Sequence, residues 1–106
     1  MAKVPGKILA DIVATLQKYK PQKIILFGSA AQGKFTPQSD LDLFILKKTR
    51  KRFVDRIGEV LDLVARLEIP VDPVVYTPQE FAQAKKENRI FIEEILKKGK
   101  IIYEAS

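Results

Sequence analysis

Along the first twenty residues the apolar positions Val4, Ile8, Leu9, Ile12, Val13 and Leu16 recur at three- and four-residue intervals with polar residues between them. That period predicts an amphipathic helix over residues 5–19, ended by Pro21. Lys23-Ile24-Ile25-Leu26-Phe27 is instead a short continuous apolar run, stopped by Gly28, which reads as a buried strand. Residues 28–33 are a small-residue turn opening a short helix, and residues 35–39, with Pro37, are a loop. A second strand is expected over 41–46, with Asp40 and Asp42 at its start. Phe53, Ile57, Val60, Leu61, Val64 and Leu67 form the apolar stripe of a long helix closed by Pro70. A third strand follows over 71–76. Thr77-Pro78-Gln79-Glu80 is then a capping box with proline at the first helical position, opening a helix that runs to about Lys86. Asn88 is expected to cap one more helix, whose stripe Ile90, Phe91, Ile95 and Leu96 reads as core and which Gly99 ends. Residues 100–103 close the chain as a short strand. Helices and strands alternate, so the fold class is α/β (α+β), a small sheet flanked by helices, in a single domain over residues 1–106.

The chain has no cysteine and no histidine. That excludes a disulfide scaffold, thiolate chemistry, the usual neutral-pH general base and any Ser-His-Asp triad. Chemistry must come from carboxylates, lysines, hydroxyls and backbone amides. No stretch approaches the ~20 apolar residues of a membrane span, so no membrane association is expected and the location reads as cytoplasmic.

The informative segment is Leu26-Phe27-Gly28-Ser29-Ala30-Ala31-Gln32-Gly33-Lys34-Phe35-Thr36-Pro37-Gln38-Ser39-Asp40-Leu41-Asp42-Leu43. Residues i and i+2 of a strand point to one face, so Asp40 and Asp42 are side by side. Two carboxylates that close repel unless a cation neutralises them, and Mg²⁺ favours one or two carboxylates together with phosphate oxygens. Gly28 lets a ligand approach the backbone, and the Ser29 amide and hydroxyl at a helix start can hold phosphate. Asp72 opens the third strand; if that strand lies beside the second, it faces the same ions. Two cations clamp both the attacking and the leaving oxygen of an in-line displacement. Pro73 lacks a ladder donor and places its strand at an edge or a bulge. Taken singly, each feature is a turn or a solvated strand end. Their conjunction, Gly-Ser then Asp-x-Asp at this spacing, arises by chance in roughly one chain in a thousand of this length.

These residues resemble the signature of the nucleotidyltransferase superfamily that includes DNA polymerase beta. The single short domain and the Ser39-Asp40-Leu41-Asp42-Leu43 block are most similar to its minimal members, the MNT proteins. The resemblance implies a mixed sheet, two Mg²⁺ ions on Asp40, Asp42 and Asp72, and a nucleoside triphosphate held by Gly28 and Ser29. It implies transfer of a nucleoside monophosphate, AMP from ATP, to a hydroxyl on a partner protein, with Asp72 both ligand and base. It also implies a HEPN-domain toxin as partner, with this chain as antitoxin. Where many minimal members carry arginine, this chain has Gln32, which brings no charge; Lys34, two residues on, is the compensating candidate for phosphate.

Two rival readings remain. One is a non-catalytic antitoxin that neutralises by binding alone. The other is a nucleic-acid-binding module using the basic run at residues 47–56, which holds six basic and one acidic side chain and so most of the chain's net charge of +6. Only Phe53 interrupts that run with an aromatic ring, and it reads as a core residue, so base stacking has little support and nucleic acid is disfavoured. Acceptor recognition would then rest on a partner or on a homo-oligomer surface.

Overall fold

The computed structural model describes residues 3–106. Five helices surround one four-stranded sheet: α1 (Gly6–Leu16), β1 (Lys23–Phe27), α2 (Gly28–Ala31), β2 (Leu41–Leu46), α3 (Phe53–Val64), β3 (Val71–Tyr76), α4 (Pro78–Glu87), α5 (Arg89–Lys98) and β4 (Lys100–Glu104). The strand order is β3-β2-β1-β4. β1 pairs antiparallel with β2 and β4, whereas β2 and β3 are parallel, so the sheet is mixed. The parallel pair follows from the connection: α3 is the crossover that returns the chain to the same end of the sheet. Pro73 sits on β3, an edge strand, where its missing N–H leaves no ladder bond unmade.

The central strands are buried on both faces over most of their length, which explains their largely apolar sequence. On one face Ile24, Leu26, Leu41, Leu43, Ile45 and Val75 pack under Ile12 and Leu16 of α1 and Val60 and Val64 of α3. On the other face Ile25 and Phe44 pack under Ile92 and Ile95 of α5, with Phe81 of α4 against the Phe44 ring at 5.6 Å between centroids. Both α1 and α3 tighten into 3-10 turns, Gln17–Tyr19 and Ala65–Leu67, each followed by a left-handed residue, Lys20 (φ 58°) and Glu68 (φ 56°). The first helix therefore ends as α-helix at Leu16, and its predicted last turn is 3-10. Among the described residues no helix is long and apolar enough to cross a membrane.

Three expectations need correction. Phe53 and Leu61 are not core: they are 38% and 42% exposed, because α3 turns only its Val60–Val64 edge fully inward. Phe53 instead stacks edge-on against Tyr76. The α5 stripe is rotated from the predicted one. Ile92 and Ile95 are buried, while Ile90 and Leu96 are 85% and 51% exposed. Asn88 gives α5 no side-chain cap; its backbone links the two helices, its N–H bonding to Ala84 O at 2.7 Å and its carbonyl accepting from Ile92 at 3.2 Å.

The predicted Thr77 capping box is present, with Glu80 N–H to Thr77 Oγ1 at 3.1 Å and Thr77 N–H to Glu80 Oε1 at 2.8 Å. A buried cation joins it. Arg56, 6% exposed, donates to Glu80 Oε1 (2.5 Å), Val75 O (3.1 Å) and Lys51 O (2.8 Å). One guanidinium thus ties α3, β3, the start of α4 and the preceding loop. Burial by itself would push the Glu80 carboxyl up. The hydrogen bonds from Arg56 and the Thr77 backbone, with the Arg56 charge, outweigh that and hold it below the usual range.

Arg56→Ala leaves the Val75 and Lys51 carbonyls without their donor and removes the pair to part-exposed Glu80, and is expected to lower the unfolding free energy in urea by about 2 kcal/mol. Glu80→Gln keeps an acceptor for Arg56 and is expected to cost about 1 kcal/mol at neutral pH. Because Glu80 titrates lower when folded, its contribution is present above its unfolded pKa and lost as pH falls through the folded one. The difference between wild type and Glu80→Gln is therefore expected to vanish in acid, measured as urea midpoints across pH.

Candidate active site

The parallel register sets Asp42 of β2 directly beside Asp72 of β3. Adjacent strands lie ~4.8 Å apart, and residues opposite one another point to the same face, so the two carboxylates meet. Both lie at the starts of their strands. Asp42 is half-buried and Asp72 exposed. Asp40, also exposed, precedes Asp42 by two residues. Its position is set from both sides. Leu41 N–H bonds to Pro70 O at 2.9 Å, locking the two strand starts together. Upstream, Thr36 and Ser39 close a tight turn through Ser39 N–H to Thr36 O (2.9 Å) and Thr36 N–H to Ser39 Oγ (3.0 Å).

β1 ends at the same place, with Phe27 opposite Asp42. Gly28 follows with φ of 72°, in the left-handed region that L side chains avoid. A second constraint is steric: a Cβ at position 28 would coincide with the Asp42 carboxylate. Glycine is thus demanded twice, by the turn and by the acid lying against it. Ser29, exposed, stands next in the first turn of α2, whose leading N–H groups have no intrahelical acceptor. The Ser29 carbonyl accepts from Gln32 at 3.0 Å and Lys34 at 3.1 Å, which draws the turn tight. The Lys34 side chain is exposed and makes no ion pair among the described residues.

The electrostatics follow from this crowding. Burial first, then the Asp72 and Asp40 charges and a hydrogen bond with Asp72, push the Asp42 carboxyl above the usual range. Asp42 and Asp72 can share a hydrogen bond only by sharing a proton. A hard divalent cation can take the place of that proton, and a set of carboxylates is the donor chemistry that Mg²⁺ accepts. Among the described residues, no three His, Cys, Asp or Glu side chains already stand at metal-ligating distances. Within the cluster Asp72 acts on Asp42 more strongly than Asp40 does, through its charge and a hydrogen bond.

The residues singled out in the sequence therefore gather at one end of the sheet: Asp40, Asp42, Asp72, Gly28 and Ser29. Lys34 is tied to that end by its backbone and not by its ammonium group. Sequence reasoning missed the wall beside them. Phe27 stacks edge-on against Phe91 of α5, with ring centroids 6.1 Å apart. No spacing rule links two residues so far apart in the chain.

The family model described as "Polymerase beta, Nucleotidyltransferase" matches residues 10–106. The Methanocaldococcus jannaschii protein named "Putative protein adenylyltransferase MJ0604" is 31% identical over 100 residues, covering 92% of this chain and 96% of its own. The fold is similar to that of a toxin–antitoxin complex crystallised with AMP-PNP, at TM-score 0.68 and 24% identity, covering 92% of this chain and 74% of that one. It is also similar to a chain from a complex of tri-AMPylated Shewanella oneidensis HEPN toxin with MNT antitoxin, at TM-score 0.58 and 19% identity, covering 93% and 71%. The match of the family model over nearly the whole chain, on a sheet that sets an acidic pair against a Gly-Ser turn, makes this chain a member of the polymerase beta nucleotidyltransferase family.

Proposed function

We propose that this chain is a Mg²⁺-dependent protein nucleotidyltransferase that moves AMP from ATP to a hydroxyl of a HEPN-type toxin and serves as its antitoxin. The observation that carries the reading is the Asp42–Asp72 pair packed against Gly28. The name of the M. jannaschii relative and the AMPylated complex among the similar folds support the choice of nucleotide and acceptor.

Asp42 and Asp72, with Asp40 swung in, would hold two Mg²⁺ ions. When bound, these ions neutralise the triphosphate and lower the pKa of the acceptor hydroxyl. The chain's own groups do the rest. The Ser29 amide and hydroxyl bind phosphate oxygens, which the absence of a side chain at Gly28 allows to come close. Lys34 supplies the positive charge that Gln32 does not. The acceptor oxygen bonds to the α-phosphorus as the bond to pyrophosphate breaks, and the hydroxyl proton passes to the Asp72 carboxylate. In this reading the HEPN-type partner presents the acceptor hydroxyl, as the AMPylated toxin of the similar complex suggests.

Incubation with α-labelled ATP, Mg²⁺ and the HEPN partner is expected to label the partner, and Asp42→Asn to abolish labelling. Labelling that persists in Asp42→Asn would place the chemistry elsewhere. Equal neutralisation of the toxin by wild type and by the Asp40→Asn, Asp42→Asn double variant would leave binding alone as the mechanism.

Gly28→Ala forces a left-handed alanine and drives a methyl group into Asp42. We expect a stability loss of about 1–2 kcal/mol and a fall in transfer of about 100-fold or more. In metal-free buffer Asp42→Asn removes carboxylate repulsion and is expected to raise the melting temperature by roughly 4–8 °C per kcal/mol recovered. Because the folded Asp42 pKa is raised, its protonated form stabilises the fold at low pH, and that contribution is lost as pH rises through the folded value. The advantage of Asp42→Asn is therefore expected to grow with pH and to shrink when Mg²⁺ stabilises wild type, read by thermal melts with EDTA or Mg²⁺.

A further inference from the structure

The basic run looks uniform in sequence, but the structure divides it. Lys47 Nζ donates to the Tyr19 carbonyl and lies 4.2 Å from the centre of the Tyr19 ring. Lys51 pairs with Glu59 at 2.7 Å, Arg52 with Asp55 at 3.0 Å, and Arg56 with Glu80 at 2.5 Å. Four of the six cations are thus engaged inside the domain. Lys48 and Arg50 have no such partner among the described residues, and both are exposed. They line one depression of about 670 Å³, together with Gln22, Thr49, Thr77, Pro78 and Gln79.

The place and the chemistry of this depression set it apart from the acidic site. Gln22 precedes β1, Lys48 and Arg50 follow β2, and Thr77 follows β3. This is the opposite end of the sheet from Asp42 and Asp72, on the order of 15 Å away along the strands. The volume falls within the range of small-molecule sites. No acidic residue lines it. The two hydroxyl oxygens in the lining already accept hydrogen bonds, Thr49 from Lys51 N–H and Thr77 from Glu80 N–H. What the walls offer a ligand is therefore mostly donors: an ammonium, a guanidinium fork and two carboxamides. The complement of two adjacent cations and many donors is a dianion that only accepts.

We propose that this depression is a second site, which binds the phosphate group of a small molecule, with Lys48 and Arg50 as its two charged contacts. A nucleic-acid strand fits less well. Two free cations neutralise only two phosphates, too few for strong backbone binding, and no aromatic ring in the lining offers a base a surface to stack on.

The test is an NMR titration of the whole chain with pyrophosphate and with inorganic phosphate, at low salt and with EDTA so that the acidic end, lacking metal, repels both. Saturable shifts are expected in the amides of Lys48, Thr49, Arg50 and Gln79. Lys48→Ala with Arg50→Ala should weaken binding by about a hundredfold, tenfold for each charged hydrogen-bonding partner, while leaving the thermal melt unchanged. Asp42→Asn should bind as wild type does, which separates this site from the transfer site. Absence of saturable shifts, or equal binding by the double variant, would overturn the assignment. So would tight binding of a single-stranded RNA oligomer with a log–log salt slope well beyond about two, since that would mark a nucleic-acid groove.

Discussion

Two carboxylates forced together at the start of a parallel strand pair are the constraint on which the rest of the site depends. The β2–β3 register sets Asp72 beside Asp42, and the Asp42 carboxylate fills the space that a side chain at position 28 would need. Without a cation this arrangement is unfavourable: burial, then the Asp72 and Asp40 charges, push the Asp42 carboxyl up. A globular domain tolerates such a cluster only if the remainder of the fold holds it there. Here the surrounding structure is a sheet buried on both faces, whose inner strands are almost wholly apolar beyond the acidic end. Strain is thus concentrated where a cation and a polyphosphate would relieve it.

The support for that register is less obvious than the cluster itself. Parallel pairing needs a crossover, and α3 supplies it, but a crossover fixes only the order of strands, not their alignment. Alignment is held at both ends: by Leu41 N–H to Pro70 O where the strands begin, and by Lys47 N–H to Tyr76 O where they finish. Just beyond the second of these sits Arg56, bonded to the Val75 carbonyl and to the box that opens α4. The buried guanidinium therefore anchors the far end of the strand that carries Asp72. Removing Arg56 costs chiefly because the Val75 and Lys51 carbonyls lose their donor; Glu80, part-exposed, keeps the Thr77 N–H and water.

Charge is segregated along the strands. Acidic groups collect at the end where β2 and β3 start, and the unpaired basic groups Lys48 and Arg50 at the end where they finish. The two ends therefore differ in sign: carboxylates gather at one, and unpaired cations at the other.

Much of this was legible in the chain itself. An apolar run stopped by Gly28 marked β1, and apolar residues beyond Asp42 marked β2, because an inner strand covered on both faces has little room for a polar residue. Thr77-Pro78-Gln79-Glu80 marked the start of α4, because a capping box is a local interaction needing no partner from elsewhere. Gly28-Ser29 and Asp40-Leu41-Asp42 were readable as chemistry because they are close in sequence and their residue types are costly without a ligand. Other features belong to the tertiary structure alone. That Asp72 stands beside Asp42, that Arg56 is buried while Phe53 is not, that α5 faces inward through Ile92 and leaves Ile90 in solvent, and that only Lys48 and Arg50 of six cations stay unpaired are all decided by contacts between distant segments. Periodicity reports which side of an element is apolar; it carries no information on how far the neighbouring element covers that side, or on which charge lies within reach across the gap.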